Sequence, residues 1–314
     1  MNNTRRPVGI IILRVLLALL ALFLLAFGLM VILFVNANRT NGEMISSGVK
    51  REYLLIVPES YDPATPTPLV ISLHGFAEWP AHQAQISGWD HLAEQEGFIV
   101  VFPSGTGFPK RWSAHGQELD SHDPLIDVTF ISDLIDKLEL EYNIDQSRIF
   151  VNGLSNGGGM SYLLACALSE SIAAFGGVAG AYMLPGDQCI LSRPVPVIAF
   201  HGTADRIVPY NGTPTARYGL SLPAIPDWIN EWVNRNECVD RPIDLPTSGM
   251  VTGVIYSSCK QNAEVIFYTI QDGGHTWPGG EALPEFLTGQ TTKDIDATSV
   301  MWQFFKLHPL EKAQ

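Results

Sequence analysis

One octapeptide, Val151-Asn152-Gly153-Leu154-Ser155-Asn156-Gly157-Gly158, restricts this chain more than any other stretch. It sets a serine between two glycines in a G-x-S-x-G spacing. The apolar, β-branched run Arg148-Ile149-Phe150-Val151 leads into it, and a helix-compatible run from Met160 to Leu168 leads out. A strand that bends this sharply into a helix has no room for side chains beside the bend. Glycines therefore flank the serine, and its hydroxyl is pushed outward. The context is that of a nucleophile elbow. Five-residue patterns recur by chance, so the rest of the chain has to supply the sheet around the elbow and the partners of the serine.

The sheet is legible. Tyr53-Leu54-Leu55-Ile56-Val57, Leu69-Val70-Ile71-Ser72-Leu73, Phe98-Ile99-Val100-Val101-Phe102, Ile149 to Val151, Ala173 to Ala179, Val195 to Phe200 and Val265 to Ile270 read as strands. Helical spacing is found over Trp89 to Glu96, at Phe130, Leu134, Ile135, Leu138 and Tyr142, at Ile225, Ile229 and Trp232-Val233, and over Val300 to Leu307. Asp127 is placed to cap the helix that carries Phe130. Continuous apolar strands interleaved with helices predict an α/β fold, a mostly parallel central sheet with helices on both faces. Residues 103–126 and 210–224 are irregular and are expected to form the rim of a site.

The N-terminus follows another logic. Arg5, Arg6 and Arg14 precede 21 uncharged, apolar residues from Val15 to Val35, enough to span a hydrocarbon core as a transmembrane helix. That length favours an uncleaved anchor over a signal peptide, although Val35-Asn36-Ala37 would allow cleavage after Ala37. The arginines keep the N-terminus cytoplasmic and leave the remainder extracytoplasmic, tethered or secreted. The expected divisions are 1–37 for the stub and apolar segment, 38–50 for a polar linker, and 51–310 for the catalytic domain. A net charge of −13 argues against a nucleic-acid partner. Membrane contact is expected only through the apolar segment. In an exported chain four cysteines predict two disulfides. Spacing leaves three pairings open, of which Cys166–Cys189 and Cys238–Cys259 join sequence neighbours and are the simplest.

A serine hydroxyl needs a base to take its proton, and the base needs a carboxylate to hold its tautomer. Both follow downstream strands. Asp205 lies in His201-Gly202-Thr203-Ala204-Asp205, after the strand ending at Phe200, and His275 lies in Asp272-Gly273-Gly274-His275-Thr276-Trp277, after the strand ending at Ile270. The order Ser, acid, His assigns Ser155 as nucleophile, Asp205 as acid and His275 as base. Asp272 is a rival acid, but it sits three residues before His275 and suits the turn better. His201 is a rival base out of order, and reads as structural. The oxyanion hole would use the backbone N–H of Asn156, at a helix start, and that of Phe76, in His74-Gly75-Phe76. Trp277 and Trp112 are candidates for the substrate pocket, with core packing an equal account of each. Asp120, His122, Asp123 and Asp127 fit no strong metal template, so no metal and no cofactor is expected. His82, His91 and His115 read as solvated.

The motifs Leu73-His74-Gly75, Asp127-Val128-Thr129-Phe130-Ile131, Gly153-Leu154-Ser155-Asn156-Gly157-Gly158, His201-Gly202-Thr203-Ala204-Asp205 and Gly274-His275-Thr276-Trp277-Pro278-Gly279 stand in this order. Together they resemble the poly(3-hydroxybutyrate) depolymerase and feruloyl esterase family of secreted α/β-hydrolases, over roughly residues 48–308. The resemblance implies an α/β-hydrolase fold, the triad Ser155, Asp205 and His275, and cysteine pairing near the simplest pattern. It implies a small or oligomeric substrate, a short-chain hydroxyalkanoate, feruloyl or acetyl ester, cleaved through an acyl-serine. A serine peptidase of the same fold and a catalytically inactive binding protein are the competing readings. Amide against ester turnover separates the first, and fluorophosphonate labelling the second.

Overall fold

The computed structural model describes residues 8–37, 39–115, 125–213 and 221–311. The chain divides into two compact units, one ending at Arg39 and the other beginning at Thr40. The first contains helix α1 (Val8–Ala37). Within it Gly9–Val31 has a mean hydropathy of 3.0 and is long and apolar enough to cross a membrane.

The second unit runs β1 (Gly42–Ser46), β2 (Val49–Ile56), β3 (Thr67–Leu73), α2 (Pro80–Ser87), α3 (Trp89–Glu96), β4 (Ile99–Pro103), α4 (Ile126–Glu141), β5 (Ile144–Leu154) and α5 (Asn156–Ala167). It continues with β6 (Ala174–Val178), β7 (Val197–Gly202), α6 (Ile225–Arg235), β8 (Ile243–Ser248), β9 (Val251–Tyr256), β10 (Val265–Ile270), α7 (Glu285–Thr288) and α8 (Ala297–Leu307). The strands form one sheet in the order β1-β2-β4-β3-β5-β6-β7-β10-β9-β8. From β4 through β10 along that order every pairing is parallel, while the pairings of β1, β2, β9 and β8 are antiparallel. This is the α/β-hydrolase fold.

The continuous apolar strands are buried on both faces because each face has its own core. Along β3, Leu69, Ile71 and Leu73 enter one core and Val70 the other. Along β4, Ile99 and Val101 separate from Val100 and Phe102 in the same way. This is the two-residue pleat of a strand. One core packs Phe130 and Leu134 of α4, Met160 and Leu163 of α5, and Trp228 and Trp232 of α6. The opposite core packs Trp89 and Ala93 of α3 with Trp302 and Phe305 of α8. Phe150 of β5 stacks on Phe305 with ring centroids 4.7 Å apart.

Several expectations are corrected. Residues 38–50, expected to form a linker, hold β1 and the start of β2, a hairpin in which Gly42 faces Tyr53. Ser47 and Gly48 both have positive φ, the turn conformation that joins two such strands. A Ser-Gly pair marks a hairpin turn as readily as a linker. Asp127 does not cap α4. Leu125 occupies the cap position, and Asp127 lies one residue inside the helix with its carboxylate buried against Arg51 of β2, Nη2 to Oδ1 2.7 Å. Its other oxygen accepts the Ser113 N–H at 2.8 Å. The Arg51 guanidinium lies 3.8 Å over the Phe130 ring. Burial lowers the arginine pKa, and Asp127 works against that shift.

β8 was not anticipated, since Ile243-Asp244-Leu245-Pro246-Thr247-Ser248 carries a proline and an acid in an exposed stretch. It pairs with β9 only through a register shift between Leu245 and Ser248. Disulfides join Cys166 to Cys189 and Cys238 to Cys259. The first ties the end of α5 to the segment after β6. The second ties the chain leaving α6 to the chain leaving β9.

Candidate active site

Ser155 stands between the last residue of β5 and the first of α5, with φ 56° and ψ −116°. A non-glycine residue held there stores on the order of 1–3 kcal/mol of strain, which the surroundings must enforce. They do so through three backbone bonds. Ser155 N–H donates to Val178 O at 2.9 Å, and Ser155 O accepts Gly159 N–H at 3.0 Å and Ala181 N–H at 2.9 Å. The flanking glycines are demanded by space. A Cβ on Gly153 would meet the Gly157 carbonyl carbon at 2.4 Å, and one on Gly157 would meet Leu73 O at 2.3 Å.

The ends of β7 and β10 lie side by side, Ile270 opposite Gly202, which brings the two downstream loops together. Asp205 Oδ2 accepts from His275 Nδ1 at 2.7 Å. Asp205 Oδ1 accepts the Ile207 N–H at 2.8 Å and the Val208 N–H at 2.9 Å, which fixes the plane of the carboxylate. With its proton on Nδ1, the imidazole keeps Nε2 as its basic nitrogen. His275 is also held by its backbone, N–H to Thr288 O at 2.6 Å, so α7 clamps the base loop. All three side chains are buried. The structure brings acid and base to hydrogen-bond distance. It records no hydrogen bond between His275 and Ser155 Oγ, a link that commonly tightens only with substrate in place.

The two amides expected in the oxyanion hole have no acceptor among the described residues. A Cβ on Gly75 would lie 3.5 Å from Ser155 Cβ, so the loop after β3 passes beside the serine. Asn156 uses its side chain to hold a neighbouring loop, Oδ1 accepting Trp112 N–H at 2.7 Å and Nδ2 donating to Trp112 O at 3.1 Å.

The two tryptophans are not pocket walls. Trp112 and Trp277 are each 2% exposed. Trp112 Nε1 donates to His74 O at 2.9 Å, and Trp277 Nε1 donates to Thr298 Oγ1 at 2.9 Å. Their polar edges are satisfied inside the fold, which the sequence has no means of signalling. His115, expected to be solvated, is also buried, whereas His91 is exposed and His82 partly so. Asp272 takes a turn conformation with φ 55° and donates its N–H to Thr203 Oγ1, away from the base. Among the described residues no three His, Cys, Asp or Glu side chains gather as metal ligands. Asp120, His122 and Asp123 lie outside the described residues.

Two further histidines support the loops. His201 Nε2 donates to Val208 O at 2.9 Å and lies 3.5 Å from Asp205 Oδ2. His74 donates from Nδ1 to Gly75 O at 2.7 Å and accepts Gly105 N–H at Nε2, 2.9 Å. Burial pushes each imidazole from the ordinary 6.5 down to about 4. The folded state therefore refuses protons that the unfolded chain accepts. Stability is fully present above about pH 6.5 and is lost as pH falls towards 4. We expect the urea midpoint to drop between pH 7 and pH 4.5, with up to about 1.4 kcal/mol per pH unit from each histidine. A midpoint flat across that window would contradict this account.

Glu78 is a residue of the site that the sequence does not mark. Its Oε2 accepts the Gly75 N–H at 2.8 Å, one residue from the candidate oxyanion amide. No pattern in the chain marks it, because a glutamate three residues after a glycine is unremarkable in a loop.

A family model described as phospholipase/carboxylesterase matches residues 61–220. Feruloyl esterase C of Emericella nidulans is 30% identical over 241 residues, 75% of this chain and 79% of that protein. A bifunctional acetylxylan esterase/xylanase of Neocallimastix patriciarum is 32% identical over 163 residues, 52% of this chain but only 22% of that longer protein. Among solved structures, a thermostable esterase superposes with TM-score 0.58 at 18% identity, covering 88% of this chain and 64% of that one. The acetyl xylan esterase of Aspergillus awamori gives 0.52 at 18% identity, covering 76% and 91%. These likenesses to solved structures establish the fold.

Proposed function

The chain belongs to the phospholipase/carboxylesterase family and is a carboxylic ester hydrolase, and we propose that it works through an acyl-serine on Ser155. The observation that carries this reading is the Asp205–His275 contact of 2.7 Å on loops that follow the strands downstream of the strained serine.

In the proposed mechanism Ser155 Oγ attacks the ester carbonyl carbon while His275 Nε2 takes its proton. Asp205 keeps the imidazole in the required tautomer and offsets its positive charge. The developing oxyanion is held by the Asn156 and Phe76 amides. Asn156 adds the positive end of α5, where negative charge is favoured. His275 then protonates the departing alcohol. Water, deprotonated by the same nitrogen, cleaves the acyl-serine and releases the acid. Every proton is accounted for by one histidine.

For substrate we propose an acetyl or feruloyl ester of a sugar, on the strength of the names of the relatives. A short hydroxyalkanoate ester is the second candidate, carried by the motif resemblance alone. We also propose that α1 remains as a membrane anchor with the catalytic unit on the extracytoplasmic side. An apolar helix and two disulfides are compatible with that placement.

The test is a panel of initial rates on acetyl, butyryl and feruloyl esters and a 3-hydroxybutyrate oligomer, using the full chain in detergent. We expect kcat/KM on the acetyl or feruloyl ester to exceed that on the oligomer by at least about tenfold, the discrimination one or two pocket contacts can supply. The reverse order would identify a depolymerase-type enzyme instead.

A further inference from the structure

The amides of the loop after β3 are divided unequally. Gly75 N–H donates to Glu78 Oε2 at 2.8 Å, and Ala77 N–H donates to Lys110 O at 2.8 Å. Glu78 N–H returns to Gly75 O at 3.3 Å and closes the turn. Phe76 N–H, lying between the bonded Gly75 and Ala77 amides, has no acceptor among the described residues. Ala77 sits at φ 62°, so the turn is imposed by these bonds and not by local preference. The carboxylate is also close to the nucleophile. A Cβ on Gly75 would lie 2.9 Å from Glu78 Oε2 and 3.5 Å from Ser155 Cβ, so one methyl group would touch both. The Glu78 side chain is only 17% exposed, and Oε1 lies 3.7 Å from His82 Nδ1.

We propose that Glu78 is a positioning and charge-selecting residue for ester hydrolysis at this site. Its carboxylate occupies the Gly75 amide so that Phe76 N–H is presented to the oxyanion, and its negative charge beside Ser155 favours neutral esters over anionic ones. The inference rests on the reading of Ser155 as nucleophile. An oxyanion donor contributes by being aimed before the charge develops. Releasing the Gly75 amide lets the loop relax, and that loss falls on the transition state more than on the bound substrate. It is therefore expected in kcat and not in KM. The charge acts separately. A carboxylate near the reacting carbon repels a substrate carboxylate at this short range, where solvent screens little.

The experiment measures kcat and KM of the full chain and its variants on a matched pair, a neutral methyl ester of a succinate monoester and the free anionic monoester. Glu78→Ala is expected to lower kcat on the neutral ester about tenfold or more, with KM nearly unchanged. Glu78→Gln, whose side-chain carbonyl still accepts the Gly75 N–H, is expected to recover most of that kcat. It is also expected to raise kcat/KM on the anionic ester relative to the neutral one by at least about threefold. A kcat for Glu78→Ala equal to the parent's would overturn the positioning role. An unchanged ester ratio for Glu78→Gln would overturn the charge role. Should the alanine variant fail to fold, by its thermal midpoint, the glutamine variant decides alone through that ratio. Ser155→Ala separates the two readings. Turnover retained in it sinks the nucleophile, whereas turnover lost in it with Glu78→Ala at full rate sinks only this inference.

Discussion

Ser155→Ala is expected to lower kcat on an acetyl ester by a factor on the order of 10^6, with the fold intact. The change removes one oxygen and keeps the Cβ, so the strained backbone at φ 56° and its three backbone hydrogen bonds are retained. The thermal midpoint should move by no more than a few degrees, as for a substitution that makes no cavity. Residual turnover of about 10^3 to 10^4 over water would remain if the oxyanion amides still act. A fluorophosphonate should label the parent chain at Ser155 and leave the variant unlabelled. Labelling that persists in the variant would place the nucleophile elsewhere.

Asp205→Asn should be nearly as damaging, lowering kcat by a factor on the order of 10^4. The shape of the side chain is kept, but an amide does not accept at both ends as the carboxylate does. Oδ1 of Asp205 is committed to the Ile207 and Val208 N–H groups. The asparagine carbonyl takes over that role, which turns its NH2 towards His275. The imidazole then presents a bare Nδ1 to that donor and carries its proton on Nε2, where the serine needs an acceptor. Because the fault is in the tautomer, KM should change little. Nitrogen NMR of the histidine ring would show the proton moved from Nδ1 to Nε2. An unmoved proton together with a large fall in kcat would mean that Asp205 acts by another route.

The central sheet was legible because its strands are apolar without interruption, and only burial on both faces produces that pattern. The helix Trp89–Glu96 and the strand Val265–Ile270 were read to their last residues. The edges were less visible. β1 and β8 lie at the two ends of the sheet and carry polar residues, so their composition resembles a loop. The serine, acid and histidine stand out in the sequence because each follows an apolar strand at a glycine-marked turn, which a chain shows locally. The Asp127–Arg51 pair is not visible there, since it depends on a partner brought near by the fold, and the Glu78–Gly75 bond is not, since a glutamate in a loop carries no pattern. Arg51 is 76 residues before Asp127, and no local pattern announces that distance. The tryptophans misled for the same reason, as an indole in a loop motif gives no indication whether its N–H points in or out.

The two ends of the sheet carry a further consequence, for coexistence with other copies of the chain. An open sheet of ten strands ends in two rows of backbone groups that another strand can join, and such rows nucleate aggregation. Here β8 closes one end with Asp244, with Pro246, which has no N–H to offer, and with a shift of register that bends the row. At the other end β1 carries Glu43, paired with Lys50 of β2 at 2.7 Å. A newcomer at either edge meets a charge or a missing donor. The fold thus discourages edge-to-edge growth from within its own covalent structure.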